Sequence, residues 1–333
     1  MTRAVGQLRK VVGASGPHGR SLAMSSALVL GERGSGLTTF LGLLYTAQVR
    51  LGVDASDEFR FSADRGSIRR MGEIYSALGT GQFPDSEVGG EHEPVSFVFG
   101  FRRGRFPRLG GPAGSADREF DSVRIQVGGI PTDEVAELDR HDAVLDVATR
   151  RLLRSPVVVP IVDASSLPDD GAGASAVPVT RFDHSLSATL GLLAKFRAAE
   201  RRWRARHLFP LFVVTKLDRV RPEVRSRLQV PEGPVENWPL TARYIVGRRL
   251  LHEYLPETAR ILIERGAAAV SIDRPGWFFS GLRMEERRGG SRIARRSVPP
   301  NGGWEPEYPF EEYKALLLRM SELARRLPED DGS

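Results

Sequence analysis

The 333-residue chain contains no cysteine. That absence excludes disulfides, thiolate metal sites and cysteine nucleophiles. Lysine is nearly missing too. Of the 48 basic residues only Lys10, Lys195, Lys216 and Lys314 are lysine, so a lysine standing at a motif position is informative. No apolar run approaches the roughly 18 residues of a membrane span. The short apolar stretch 22–30 passes straight into a glycine-rich turn without a cleavage-like region, so a cytoplasmic protein is expected. Six histidines, at positions 18, 92, 141, 184, 207 and 252, have no metal-ligand spacing, and no serine sits in a nucleophile elbow. The formal charge of +6 rests on scattered arginines, which usually form a solvated face. A less favoured reading uses the arginines near 102–108 and 283–296 on nucleic acid or an acidic membrane surface.

The informative stretch begins at Ala27, where the apolar run Ala27-Leu28-Val29-Leu30 leads into Gly31-Glu32-Arg33-Gly34-Ser35-Gly36-Leu37-Thr38-Thr39. Residues 39–50 then carry Phe40, Leu43, Leu44 and Ala47 at helical spacing. A glycine-rich turn between strand and helix lets successive backbone N–H groups converge on an anion at the positive end of the helix. Gly31, Gly36 and Thr38 meet the phosphate-loop pattern G-x-x-x-x-G-K-[ST], but Leu37 stands where lysine belongs. Loss of that one charge-assisted hydrogen bond costs roughly 1.5–3 kcal/mol of phosphate affinity. Arg33 is the candidate substitute, and Thr38 keeps the hydroxyl that would meet a metal ion.

Further on, 58–61 reads as a short strand and 68–78 as a helix. Segments 94–101 and 122–127 alternate as the arms of a hairpin, interrupted by an inserted loop at about 104–118. A helix is expected over 132–153 and another over 183–206, each preceding a continuous apolar run, 156–163 and 208–215, of the kind buried on both faces of a sheet. Helical patterning over 239–263, a last strand at 267–272 and an amphipathic helix at 311–326 complete the chain. The expected fold is therefore α/β: three layers, a mostly parallel sheet with an antiparallel edge hairpin and helices on both faces. The expected organisation is an extension over 1–21, a domain over 22–280, a basic Gly/Arg/Pro-rich loop over 281–308 and a closing helix over 309–327 packed on the domain.

A second motif follows the last buried run: Thr215-Lys216-Leu217-Asp218. It holds one of the four lysines, and its aspartate is an acceptor-only carboxylate suited to a base edge that presents two donors. Taken with the glycine loop, this order of elements resembles the Ras-like superclass of P-loop GTPases over approximately residues 27–272. Gly79-Thr80-Gly81-Gln82-Phe83-Pro84 ahead of a hairpin, with a late tyrosine-bearing helix, is also similar to prokaryotic double-GTPase-type and gliding-motility-type members. The resemblance implies a P-loop NTPase-like fold and GTP or GDP as cofactor. It assigns phosphate contacts to Gly31, Arg33, Gly34, Ser35, Gly36, Leu37, Thr38 and Thr39, and guanine contacts to Thr215, Lys216, Asp218 and Ser271, the last as the serine of the family's [ST]-A-K element. Mg²⁺ would meet Thr38 and Ser86.

The chain departs from the family at the phosphate and metal end. Where D-x-x-G belongs it has Gly128-Gly129-Ile130-Pro131, and no glutamine is placed to orient water. Asp163, at the end of an apolar run, reads better as a strand-end carboxylate than as a metal-supporting acid. The expected function is a degenerate GTPase-like protein that binds guanine nucleotide weakly or without efficient hydrolysis and acts through protein partners as a regulatory or scaffold subunit. An active GTPase with substituted or partner-supplied catalytic groups is the alternative, and a basic interaction module the third.

Overall fold

Two apolar runs expected to be doubly buried strands lie next to one another in a single sheet, with helices packed on both its faces. The computed structural model describes residues 24–53, 59–63, 65–80, 82–83, 95–102, 120–131, 153–168, 177–199, 206–264, 270–286, 292–294, 296–297 and 305–326. The segments 1–21 and 104–118, nearly all of the expected helix 132–153, and Ser86 lie outside these residues.

The strands of the main sheet are β1 (Met24–Gly31), β2 (Phe59–Ala63), β3 (Val95–Arg102), β4 (Phe120–Pro131), β5 (Val157–Asp163), β6 (His207–Thr215), β7 (Ser271–Ile272) and β8 (Gly276–Phe279). Their order is β2-β3-β4-β1-β5-β6-β7, with β8 also paired to β6. β3 pairs antiparallel with both β2 and β4, whereas β4, β1, β5, β6 and the β7–β8 edge are parallel. The expected hairpin is therefore β3–β4, and it joins the parallel part through β4. The register places Pro131, Gly31 and Ile161 side by side, then Asp163 beside Thr215 and Val214 beside Phe279. All five parallel strands thus end along one edge of the sheet, which is where α/β sheets carry ligands.

Alternation along the central strands feeds two cores. Leu28, Leu30, Val158, Val162, Phe212 and Val214 face helices α3 (Val177–Ala198), α5 (Leu240–Tyr254) and α6 (Pro256–Glu264) on one side. Ala27, Val29, Val159, Ile161, Leu211 and Val213 face α1 (Leu37–Val53), α2 (Arg65–Gly79) and α7 (Phe310–Arg326) on the other. A period-2 strand with both faces apolar has no polar side to show, and this is why the sequence reads as a continuous run. The short α4 (Pro222–Leu228) follows β6. No helix among the described residues is long and apolar enough to cross a membrane.

Three expectations need correction. Helix α3 starts at Val177 and ends at Ala198, earlier at both ends than 183–206; Pro178 suits a first turn, where its missing N–H is not needed. The last strand does not end at Ile272: the edge resumes at Gly276 and continues to Phe279 alongside β6. The stretch 281–308 contains two small antiparallel ribbons, β9 (Met284–Glu286) with β10 (Arg292–Ala294) and β11 (Arg296–Ser297) with β12 (Glu305–Pro306).

Helix α7 buries Tyr313, Leu316, Leu317, Met320 and Leu323, an i, i+3, i+4 stripe, against α1 and the sheet. Its first turn also buries Glu312, whose carboxylate accepts the Phe279 N–H at 3.1 Å and pairs with Arg243 of α5. Removing the leucine at 317 leaves a cavity beneath α7, so Leu317→Ala should cost about 2–5 kcal/mol in denaturant unfolding. A loss below about 1 kcal/mol would mean that α7 does not complete this core. Burial, the dominant influence, pushes the Glu312 carboxyl above the ordinary value of 4.5, against the opposing pull of the Phe279 N–H and Arg243 and with a small push from Glu236. A raised folded-state pKa means the folded chain binds this proton more tightly than the unfolded chain. The contribution is thus complete below the unfolded value and lost as pH rises through the folded one. Wild type should accordingly lose stability relative to Glu312→Gln as pH climbs out of the carboxylate range, and a difference that stays flat with pH would contradict the burial argument.

Candidate functional site

Strand β1 stops at Gly31 and the chain turns through 32–36 into α1 at the carboxyl edge of the sheet. Each glycine of the turn is needed for its own reason. Gly34 and Gly36 have φ of 81° and 89°, a region that costs an L side chain about 1–2 kcal/mol. At Gly31 the constraint is space: a Cβ would stand 2.6 Å from Ser35 Oγ and 3.1 Å from Ile161 Cβ. The Ser35 N–H donates to the Glu32 carbonyl at 3.0 Å and the Phe40 N–H to the Gly36 carbonyl at 2.8 Å. The amides of Leu37, Thr38 and Thr39 precede that first helical bond, so they are the orphan donors of the helix start.

Ser35 is 3% exposed, and its hydroxyl has no partner among the described residues. It lies against Gly31, inside the turn. A buried hydroxyl without a partner costs about 1–3 kcal/mol, and a bound water, ion or ligand recovers it. Thr38 and Thr39 are half-buried, and Arg33 is exposed. Leu37 is half-buried and packs on the α1–α2–α7 core, with its Cδ1 3.4 Å from the position of a Gly31 Cβ. The leucine side chain thus lies against the first glycine of the turn and is packed on hydrocarbon.

The turn is fastened to the end of β6. The Thr215 hydroxyl donates to the Ser35 carbonyl at 2.8 Å, with the Val162 carbonyl as a second acceptor at 3.2 Å. Lys216 Nζ donates to the Gly34 carbonyl at 2.6 Å and to Asp163 Oδ2 at 2.5 Å. To reach them Lys216 adopts the left-handed conformation, φ 54° and ψ 34°, and caps a 3-10 turn over Leu217–Arg219. A non-glycine residue held there costs of order 1–3 kcal/mol and persists only where its surroundings over-determine it. Asp218 sits on that turn with 28% of its side chain exposed and the Arg219 Nε 3.8 Å from Oδ2.

Both Asp163 oxygens are engaged. Oδ1 accepts the Ser165 N–H at 2.9 Å and its hydroxyl at 2.6 Å, and Oδ2 holds Lys216. The carboxylate therefore caps the 3-10 turn 164–166 and anchors the lysine, in keeping with a strand-end role.

The structure does not bring Ser271 to this site. Ser271 pairs with His207 at the amino end of β6, the far end of the strand from Thr215. The residues that follow the edge strand at the carboxyl end are Ser280 and Gly281. Ser280 N–H donates to the Val214 carbonyl at 2.7 Å, and a Cβ at Gly281 would stand 3.4 Å from Asp218 Oδ1. They were missed because the edge strand is broken at 273–275; the aromatic run Trp277-Phe278-Phe279 was the signal that it resumes.

A metal ion is poorly provided for. Strand β4 ends in Gly128–Pro131 with no carboxylate, Asp163 is engaged, and no cluster of three metal-binding side chains occurs among the described residues. Of the histidines, His184 pairs with Glu257 at 3.1 Å on the surface and His207 stacks on Phe209. Neither a scan of protein-family models nor a search of curated proteins finds a match to this chain.

Thr215→Val keeps the volume and removes only the hydroxyl, leaving the Ser35 carbonyl without its donor. The expected loss is about 1–3 kcal/mol by denaturant unfolding. An unchanged midpoint would show that the turn holds its shape without the Thr215 hydroxyl.

Proposed function

We propose that the chain is a degenerate GTPase-like protein: it takes a guanine nucleotide at the carboxyl edge of the sheet, turns it over inefficiently if at all, and acts through protein partners as a regulatory or scaffold subunit. The observation that carries this reading is the fastening of Thr215-Lys216-Leu217-Asp218 onto the glycine turn through the Gly34 and Ser35 carbonyls. One element built to cradle an anion and another built to present a carboxylate are thereby set at a fixed distance. A phosphate on the orphan amides of Leu37, Thr38 and Thr39 would satisfy the helix start and supply the buried Ser35 hydroxyl with a partner. A base beside Gly281 would present its donors to Asp218, an arrangement that suits the two donors of guanine and not the edge of adenine.

The same geometry argues against efficient turnover. Phosphoryl transfer depends on positioned cations at the β- and γ-phosphates. Leu37 puts hydrocarbon where that charge is needed, and β4 offers no acid to hold a metal. Discrimination among phosphates should then be slight, because what remains is backbone N–H groups at the helix start.

Calorimetric titration of the full chain tests this. GTP and GDP should bind within about tenfold of one another, with little change when Mg²⁺ is chelated, and ATP or ADP at least about tenfold more weakly. Asp218→Ala should erase the guanine preference, and Leu37→Lys should tighten GTP by about ten- to a hundredfold, the worth of one restored charge-assisted bond. Phosphate release should stay at background. Absence of binding by any nucleotide at about 1 mM overturns the proposal.

A further inference from the structure

The turn that flanks Asp218 is held from behind by the closing helix. Two successive residues at the start of α7 reach the last residue of β8 and the residue after it. Glu312 Oε2 accepts the Phe279 N–H at 3.1 Å, and the Tyr313 hydroxyl meets Ser280 Oγ at 2.5 Å, both contacts being buried. The other Glu312 oxygen pairs with Arg243, which also donates to the Trp238 carbonyl at 3.2 Å and the Val235 carbonyl at 2.9 Å. Each of the three guanidinium nitrogens has a partner, which holds the Arg243 fork, and with it the Glu312 carboxylate, in one orientation. Tyr313 is 2% exposed, stands edge-on to Tyr308 at 5.3 Å and packs on Phe40 at 5.7 Å. Phe40 is the residue whose N–H closes the first helical bond onto Gly36. Tyr313 therefore touches both halves of the site, the start of α1 on one side and the Ser280–Gly281 turn on the other.

We infer that Glu312 and Tyr313 are positioning residues for base recognition: α7 presses the Ser280-Gly281 turn against Asp218 and sets the direction of the carboxylate. The inference rests on the guanine reading of Asp218 given above. The contact it needs is close. A Gly281 Cβ would be 3.4 Å from Asp218 Oδ1 and 3.8 Å from the backbone nitrogens of Leu217 and Asp218, ordinary van der Waals distances, so the Ser280–Gly281 turn adjoins the 3-10 turn with room for no more than a methyl group between them. A purely structural Ser–Tyr pair would not bear on base choice, since its removal would cost stability without favouring one base over another.

Hydrogen exchange on the ligand-free full chain, compared with nucleotide titration, separates the two possibilities. Tyr313→Phe keeps the ring and removes the hydroxyl. It should speed exchange of the amides in 279–282 and 217–219 by about three- to tenfold, the worth of one hydrogen bond, while the rest of the sheet is unchanged. Leu323→Ala, farther along the same helix, should lower global stability without singling out these two segments. In titrations Tyr313→Phe should weaken GDP by about three- to tenfold and leave ADP where it was. Glu312→Gln, which keeps an acceptor for Phe279 but loses the charge on Arg243, should move the GDP-to-ADP ratio in the same direction. Exchange in 279–282 and 217–219 that changes no more than in the rest of the sheet, or an equal loss of GDP and ADP affinity, overturns the inference. A wild type that binds neither nucleotide overturns the guanine reading instead, and the exchange result alone then upholds or overturns the brace.

Discussion

The ammonium of Lys216, shared between the Gly34 carbonyl and the Asp163 carboxylate, is the contact on which the carboxyl edge of the sheet depends. It joins three parallel strands: the turn after β1, the end of β5 and the turn after β6. Charge-assisted hydrogen bonds of this kind contribute about 1.5–3 kcal/mol each, enough to offset the roughly 1–3 kcal/mol of holding Lys216 in the left-handed region. The strained backbone is what aims Asp218 outward from a turn whose own first residue points inward. An arginine would not serve equally. Its planar fork is wider than a single ammonium wedged between one carbonyl and one carboxylate oxygen, which accounts for a lysine here in a chain that otherwise relies on arginine.

What was legible in the sequence follows from the same physics. The buried strands were plain because a strand covered on both faces has few polar positions, and 156–163 and 208–215 read as continuous apolar runs. The turn at 31–36 was plain because two of its glycines occupy positive φ and the third allows no Cβ. The broken edge was not legible. Ser271–Ile272 and Gly276–Phe279 are two pieces of one edge strand, and short apolar pieces separated by Asp-Arg-Pro look like a strand end followed by a loop. That error displaced a candidate site residue from the carboxyl to the amino end of β6. Hydrogen bonds between residues about 180 apart, such as Thr215 to Ser35, leave no local pattern at all. Nor does the buried pairing of Arg243 with Glu312, because each residue taken singly reads as a surface charge on an amphipathic helix.

The two ends of the candidate site are built to different standards. At the Asp218 end every supporting group is accounted for: Lys216 by two acceptors, Ser280 by Val214 and Tyr313, Glu312 by Phe279 and Arg243. At the turn after β1 the backbone is as tightly specified, but the side chains are not those of a charge-handling site. Leu37 contributes hydrocarbon, Ser35 a hydroxyl with no partner among the described residues, and Gly128–Pro131 no acid. On the proposed reading, a phosphate cradle with leucine at 37 and no acid after β4 retains shape recognition and loses much of the means to stabilise developing charge.

That asymmetry decides what kind of device the site can be on the proposed reading. A switch requires a ligand whose affinity differs between two conformations, and the γ-phosphate can bias such an equilibrium only through groups that sense it. Without a lysine at 37 and an acid after β4, GTP and GDP differ little in the contacts offered to them, so exchanging one for the other shifts nothing. Any guanine nucleotide would instead act as a ligand of the folded state, stabilising it by RT ln(1 + [L]/Kd). Its effect would fall on the parts of the chain it joins, the α1 start and the Ser280–Gly281 turn, and through Tyr313 on the seating of α7. A partner that recognises α7 in place would then read whether the site is filled, not which phosphate fills it.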